Sequence, residues 1–153
     1  MKILFVCTGN SCRSAMAKGY LEKRLKELGI KDITVFSAGV AALTGMRATE
    51  EAKQVVKEAG GDISGHTARK LSDADIKEAD LIFAMENSHR ERMLNKYPDS
   101  ANKTYLLRDF RKLGNFGFSK NFDIPDPIAK DINFYRKTFF IIKESIEKLL
   151  QEI

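Results

Sequence analysis

Both cysteines of this 153-residue chain fall in one stretch, CTGNSCRS (7–14), directly after the apolar run ILFV. A strand that enters a helix through a small-residue loop points several backbone N–H groups at one spot. The helix behind it adds its positive N-terminal end. The product is a concave site for an anion the size of phosphate, walled by Thr8, Gly9, Asn10, Ser11, Cys12 and Ser14. Five residues separate Cys7 from Arg13, which lets the loop wrap once around a tetrahedral oxyanion. The guanidinium can then hold two of its oxygens at once, as no lysine could.

The same field acts on the first thiol. Beside a cation and a helix N-terminus a cysteine pKa falls from about 8.5 into a range of roughly 3.5 to 7.5, so Cys7 is expected to be largely thiolate. A thiolate beneath a phosphoryl group is placed for in-line attack and a phosphocysteine intermediate. A zinc site is not expected, because four ligands are wanted and the chain has two thiols and two distant histidines. No metal or other cofactor is expected.

Bond cleavage also needs an acid for the leaving group and a base for the water that follows. The obvious candidate is Asp126 in DIPDP, where Pro125 and Pro127 restrict its backbone. Spacing alone does not single it out, since Asp123 and Asp131 stand close by.

The elements that must position these groups follow from the apolar periodicity. KILFVC (2–7) suits a buried parallel strand, and from Ser14 the period changes to a helical one through Ala17, Tyr20, Leu21, Leu25 and Leu28, stopped at Gly29. ITVFSAG (33–39) reads as a strand. TEEAKQVVKEAG (49–60) reads as a helix capped by Thr49. A short helix, the strand LIFAM (81–85), a helix opening near Ser88 and a weaker strand KTYLL (103–107) come next. A final helix carries Tyr135, Phe139, Ile142, Ile146, Leu149 and Ile153.

Alternating strands and helices predict an α/β fold of one domain over 1–153. Its four-stranded parallel sheet is doubly wound, flanked by helices, with the phosphate loop after the first strand. Ligands in such sheets bind beyond the carboxyl ends of the strands, where residues 7–14 fall. The one long connection, 108–131, has a length associated with function.

Composition narrows the classes. With 43% apolar and 31% charged residues the chain is an ordinary globular one, and 153 residues suffice for a substantial core. No apolar run approaches the roughly 18 residues that span a bilayer, and the amino terminus lacks a secretory pattern, so a cytoplasmic protein without membrane attachment is expected. The net charge of +5 is dispersed among acids. That describes a solvated surface, or a mild field for anionic substrates, rather than a nucleic-acid binder.

C-x-G-N-x-C-R-S after an amino-terminal strand, SAG after the second strand and a late DP together resemble the low-molecular-weight protein tyrosine phosphatase family, in the right order over essentially the whole chain. The resemblance implies a metal-independent hydrolase acting on phosphorylated protein, with Cys7 as nucleophile, Arg13 binding the phosphate, and Asp126 as general acid and then base. It implies that Asn10 shapes the loop, that the Ser14 hydroxyl stabilises the thiolate, and that Ser37 and His66 hold Asn10 from behind. It also implies that Cys12 can pair reversibly with Cys7 and shield it from over-oxidation. A monomer is expected, with a tyrosine kinase as opposing partner.

Two positions depart from tyrosine-specific members: Ser11 stands where a bulky apolar residue is common, and Ile128 where an aromatic one follows the DP pair. Ser11 resembles the small hydroxyl residue of protein-arginine phosphatases in the same family, so that activity is the alternative. An arsenate reductase would need further cysteines downstream, and a pure redox sensor would need neither Arg13 nor Asp126.

Taken singly, these residues have plainer readings. Cys7 suits a buried strand end, Asp126 a turn, His66 a loop or core position, and Ser37 a turn cap. His89, in NSHRER, reads as solvated helix surface and is assigned no role. Tyr135 reads as core. Phe116 and Phe118 either line the pocket mouth or tuck beneath their loop.

Overall fold

The computed structural model describes residues 1–110 and 122–153. Phe116 and Phe118 lie outside the described residues.

Four parallel strands, β1 (Lys2–Cys7), β2 (Thr34–Gly39), β3 (Leu81–Ala84) and β4 (Thr104–Leu106), form one sheet in the order β2-β1-β3-β4. Strand β1 pairs with β2 from Lys2↔Thr34 to Cys7↔Gly39, and on its other side with β3 from Ile3↔Leu81 to Val6↔Ala84. The chain therefore leaves β1 to one side for β2 and returns on the other for β3. That reversal opens a crevice at the carboxyl end of β1, the expected location for a ligand.

Strand β1 is apolar from Ile3 to Cys7, after an exposed Lys2, because both its faces are covered there. Ile3, Phe5 and Cys7 point into one core with helices α1 (Arg13–Glu27), α2 (Glu50–Glu58) and α5 (Ile132–Glu152). Leu4 and Val6 point into a second, smaller core with Ile76 of α3 (Asp73–Glu78) and Met93 of α4 (Asn87–Lys96). Alternate residues of a strand face opposite sides, so a run without polar residues is what a sheet sandwiched between helices requires.

The helix ends match local chemistry. Thr49 caps α2 by accepting from the Ala52 amide at 3.3 Å, and Asp131 caps α5 by accepting from the Phe134 amide at 2.9 Å. Helix α1 ends one residue sooner than the apolar spacing suggests. Leu28 follows the last helical residue and is exposed, while Gly29 turns the chain with φ +68°. Tyr135, Phe139, Ile142, Ile146 and Leu149 line the buried face of α5 as expected, whereas Ile153 lies past its end and is exposed.

Candidate active site

The loop after β1 turns on Asn10, one of two non-glycine residues with positive φ among the described residues. Asparagine tolerates that region better than most side chains, and here every polar group it carries is engaged. Its Nδ2 donates to Ser14 Oγ at 2.8 Å and to Ser37 Oγ at 2.9 Å. Its Oδ1 accepts from the Arg69 amide at 3.0 Å, and its carbonyl oxygen lies 2.6 Å from His66 Nε2. The carbonyl has only lone pairs to offer, so the His66 proton sits on Nε2. Burial holds this imidazole below its ordinary pKa. Ser37 and His66 are thus both brought against Asn10.

The loop is also stitched to the segment after β2. The carbonyls of Cys7 and Thr8 accept from the amides of Val40 and Ala41, each at 3.0 Å, and the Ser11 carbonyl accepts from the Thr49 amide at 3.1 Å. With its carbonyls turned outward in this way, the loop can present amides to its interior. Gly39 makes the close approach possible: a Cβ there would meet Thr8 O at 2.5 Å.

At the floor of the loop the Cys7 sulfur lies 2.9 Å from Ser14 Oγ and 3.3 Å from the Asn10 amide, which donates to it. Burial pushes the Cys7 thiol up from its ordinary pKa. Ser14, through hydroxyl and amide, the Arg13 guanidinium and the Asn10 amide all pull the other way without offsetting it. The low-pKa thiol expected from the loop's field is corrected to this extent: the stabilising contacts are present, and desolvation outweighs them in the folded chain.

Arg13 is the first residue of α1 and almost wholly buried. One terminal nitrogen donates to Glu86 Oε1 at 2.5 Å and to the Ile124 carbonyl at 2.8 Å. The other lies 3.6 Å from Asp126 Oδ2. The three acids that spacing left open are separated by this geometry. Asp131 caps α5, Asp123 Oδ1 accepts from the Asn87 amide at 2.7 Å, and Asp126 reaches the guanidinium. Asp126 also accepts from the Ile128 amide at 3.1 Å, the turn contact its flanking prolines suggested.

Cys12, buried one residue before Arg13, is a free thiol like Cys7. Its sulfur lies 3.3 Å from the Tyr135 hydroxyl and 3.6 Å from Thr49 Oγ1, and Thr49 donates to Tyr135 at 3.1 Å. Burial, and then the contact with Cys12, raise the Tyr135 phenol above its ordinary pKa. Tyr135 is core, as expected, but its hydroxyl ties α5 to the loop. Ser11 is half-buried, with Oγ 3.8 Å from the Cys12 sulfur.

Two residues that the sequence reading left without a role belong to this cluster. Glu86 holds Arg13. His89 is buried, not solvated: its Nε2 lies 2.8 Å from Thr8 Oγ1 and its Nδ1 accepts from the Glu86 amide at 3.2 Å. The run NSHRER concealed this because its other residues are polar. The usable signal was position, since His89 lies in the first turn of the helix after β3, at the same sheet end as Cys7.

A surface cleft of about 480 Å³ between α1 and β2, lined by Leu25, Gly29, Ile33 and Val35 among others, lies toward the opposite, amino-terminal end of the strands. It brings none of the residues above together.

Residues 2–153 match the family model described as low molecular weight phosphotyrosine protein phosphatase. A protein-arginine-phosphatase of Geobacillus stearothermophilus is 34% identical over 152 residues, covering 99% of this chain and 95% of that protein. The low molecular weight protein-tyrosine-phosphatase Ptp of Acinetobacter johnsonii is 33% identical over 144 residues, covering 94% and 92%. The crystal structure of a low molecular weight protein tyrosine phosphatase from T. tengcongensis superposes with a TM-score of 0.89 at 40% identity, covering 100% of this chain and 99% of that one. With the family model spanning all but the first residue and the fold shared end to end, this chain is a member of the low-molecular-weight phosphotyrosine protein phosphatase family.

Proposed function

We propose that the chain is a metal-independent protein phosphatase that hydrolyses phosphotyrosine through a phosphocysteine intermediate on Cys7. The observation that carries this reading is the double engagement of Arg13: it leads the helix at the mouth of the Cys7 loop and lies 3.6 Å from Asp126. Nucleophile, anion holder and acid therefore converge at one end of β1.

In the first step the Cys7 sulfur forms a bond to phosphorus as the ester oxygen leaves, and that oxygen takes its proton from Asp126. In the second, water attacks phosphorus, its proton passes to Asp126, and the sulfur departs as thiolate. The equatorial oxygens rest on loop amides and on Arg13, where developing charge is stabilised best. Attack requires the thiolate, and the Ser14 and Asn10 donors with the α1 N-terminus are what hold that charge. This reading places the enzyme in the cytoplasm as a monomer acting on phosphorylated protein opposite a tyrosine kinase.

The test is p-nitrophenyl phosphate hydrolysis without added metal, with Cys7→Ser as the control. Cys7→Ser is expected to abolish turnover while vanadate binding persists. Activity that depends on added metal, or that survives in Cys7→Ser, would overturn the mechanism.

Ser11 favours a second reading, phosphoarginine hydrolysis, and relatives bearing that name match across nearly the whole chain. Side-by-side rates on phosphotyrosyl and phosphoarginyl peptides decide between the two. Ser11→Ile is expected to move the ratio toward tyrosine, and an unchanged ratio removes Ser11 as the determinant.

A further inference from the structure

The His89 ring bridges two loops that converge at the carboxyl ends of β1 and β3. On one side lies Thr8, the residue after the nucleophile, and on the other Glu86, whose carboxylate holds Arg13. The Glu86 amide can only donate, so His89 Nδ1 accepts and the ring proton resides on Nε2, where it is donated to Thr8 Oγ1. His89 as a whole is 3% exposed, and both its ring nitrogens are used.

We propose that His89 is a positioning residue: a neutral imidazole of fixed tautomer that ties the Thr8 hydroxyl to the Glu86 backbone and so sets the opening of the phosphate loop against the arm that holds Arg13. This rests on the phosphatase reading of the site.

The surroundings keep the ring uncharged. The charged groups facing it are Arg13 from α1, Glu86 from its own segment, and Asp123 and Asp126 from the segment before α5. Burial dominates, with Arg13 acting in the same sense against the three acids, and the pKa falls to about 4. A proton added at Nδ1 would face the Glu86 N–H, donor against donor, and break the link. At neutral pH the link holds.

The test joins a spectroscopic readout with a pair of variants. In ¹⁵N spectra of the full chain, His89 is expected to carry its proton on Nε2 and none on Nδ1 from pH 8 down to pH 5, and Thr8→Val should shift the Nε2 signal. In p-nitrophenyl phosphate turnover, His89→Asn and Thr8→Val are each expected to lower kcat about tenfold, the scale of one lost hydrogen bond, and the double variant should lose no more. His89→Gln, which can restore a donor toward Thr8, is expected to recover most of the loss. A proton on Nδ1, an Nε2 signal indifferent to Thr8→Val, or losses that multiply in the double variant would each overturn the proposal. If His89→Asn fails to fold, the Thr8→Val turnover and spectrum still decide it. A wild-type chain without phosphatase activity defeats the functional reading but leaves the spectroscopic test of the link intact.

Discussion

Ser14 Oγ lies 2.9 Å from the Cys7 sulfur and, at the same time, 2.8 Å from Asn10 Nδ2. An amide NH₂ can only donate, so Asn10 occupies a lone pair of the hydroxyl and leaves the Ser14 hydrogen available to the sulfur. The asparagine that shapes the loop thereby also aims the hydroxyl that opposes burial's upward push on the thiol.

Ser14→Ala should therefore raise the Cys7 pKa further, since it removes the first of the contacts that lower it. The pH at which iodoacetamide alkylates Cys7 half-maximally is expected to move upward. Turnover at neutral pH should fall about tenfold, as the loss of a hydrogen bond to a charged group implies. A midpoint that stays in place would mean the hydroxyl does not donate to the sulfur.

Gly39→Ala probes the same loop from behind. A Cβ there would stand 2.5 Å from the Thr8 carbonyl oxygen and 3.0 Å from the Asn10 nitrogen, both backbone atoms that cannot swing aside. Overpacking of this kind costs about 1–3 kcal/mol, so Tm should fall by roughly 5–10 °C, with turnover reduced as Thr8 and Asn10 are displaced. Wild-type values of both would show that the loop accommodates the methyl by shifting.

Much of this was legible in the chain because it is local. An unbroken apolar run buried on both faces, a helical period beginning just after Arg13 and a glycine stop are properties of neighbouring residues, and they place the loop without further help. What joins the loop to the rest is not local. Asn10 is held from residues 37, 66 and 69, Arg13 from Glu86 and Ile124, and Cys12 from Thr49 and Tyr135. Spacing cannot reveal which distant side chains meet. For the same reason it did not show that His89 turns inward from a polar helix, or that desolvation outweighs the loop's field at Cys7.

The buried His89 carries a stability consequence distinct from its effect on turnover. Its pKa of about 4 in the folded chain lies below the ordinary 6.5, so between those values the unfolded chain binds more protons. The contribution is complete above pH 6.5 and is lost as pH falls toward 4, on the order of 3 kcal/mol. His66, also held low by burial, adds a loss of the same sign. Urea midpoints at pH 7, 5.5 and 4.5 should therefore decline less in His89→Gln than in the wild type. Parallel declines would show that His89 takes up its proton equally in the folded and unfolded chains, so that the fold does not hold its pKa down.

Asp126→Asn separates chemistry from scaffolding. Arg13 keeps Glu86 and the Ile124 carbonyl when this carboxylate is lost, so vanadate affinity should hold within a few-fold. On the proposed mechanism proton donation is lost outright, and general-acid groups contribute about 10²–10⁴-fold, the more so as the leaving group becomes more basic. Phenyl phosphate hydrolysis should thus fall far more than p-nitrophenyl phosphate hydrolysis. Asp131→Asn serves as the contrast: it can still cap α5, and both substrates should react near the wild-type rate. An equal loss on both substrates in Asp126→Asn would mean that Asp126 acts by orienting Arg13 across their 3.6 Å contact and not by giving up a proton. The leaving-group dependence distinguishes these roles because only proton transfer scales with the basicity of the departing oxygen.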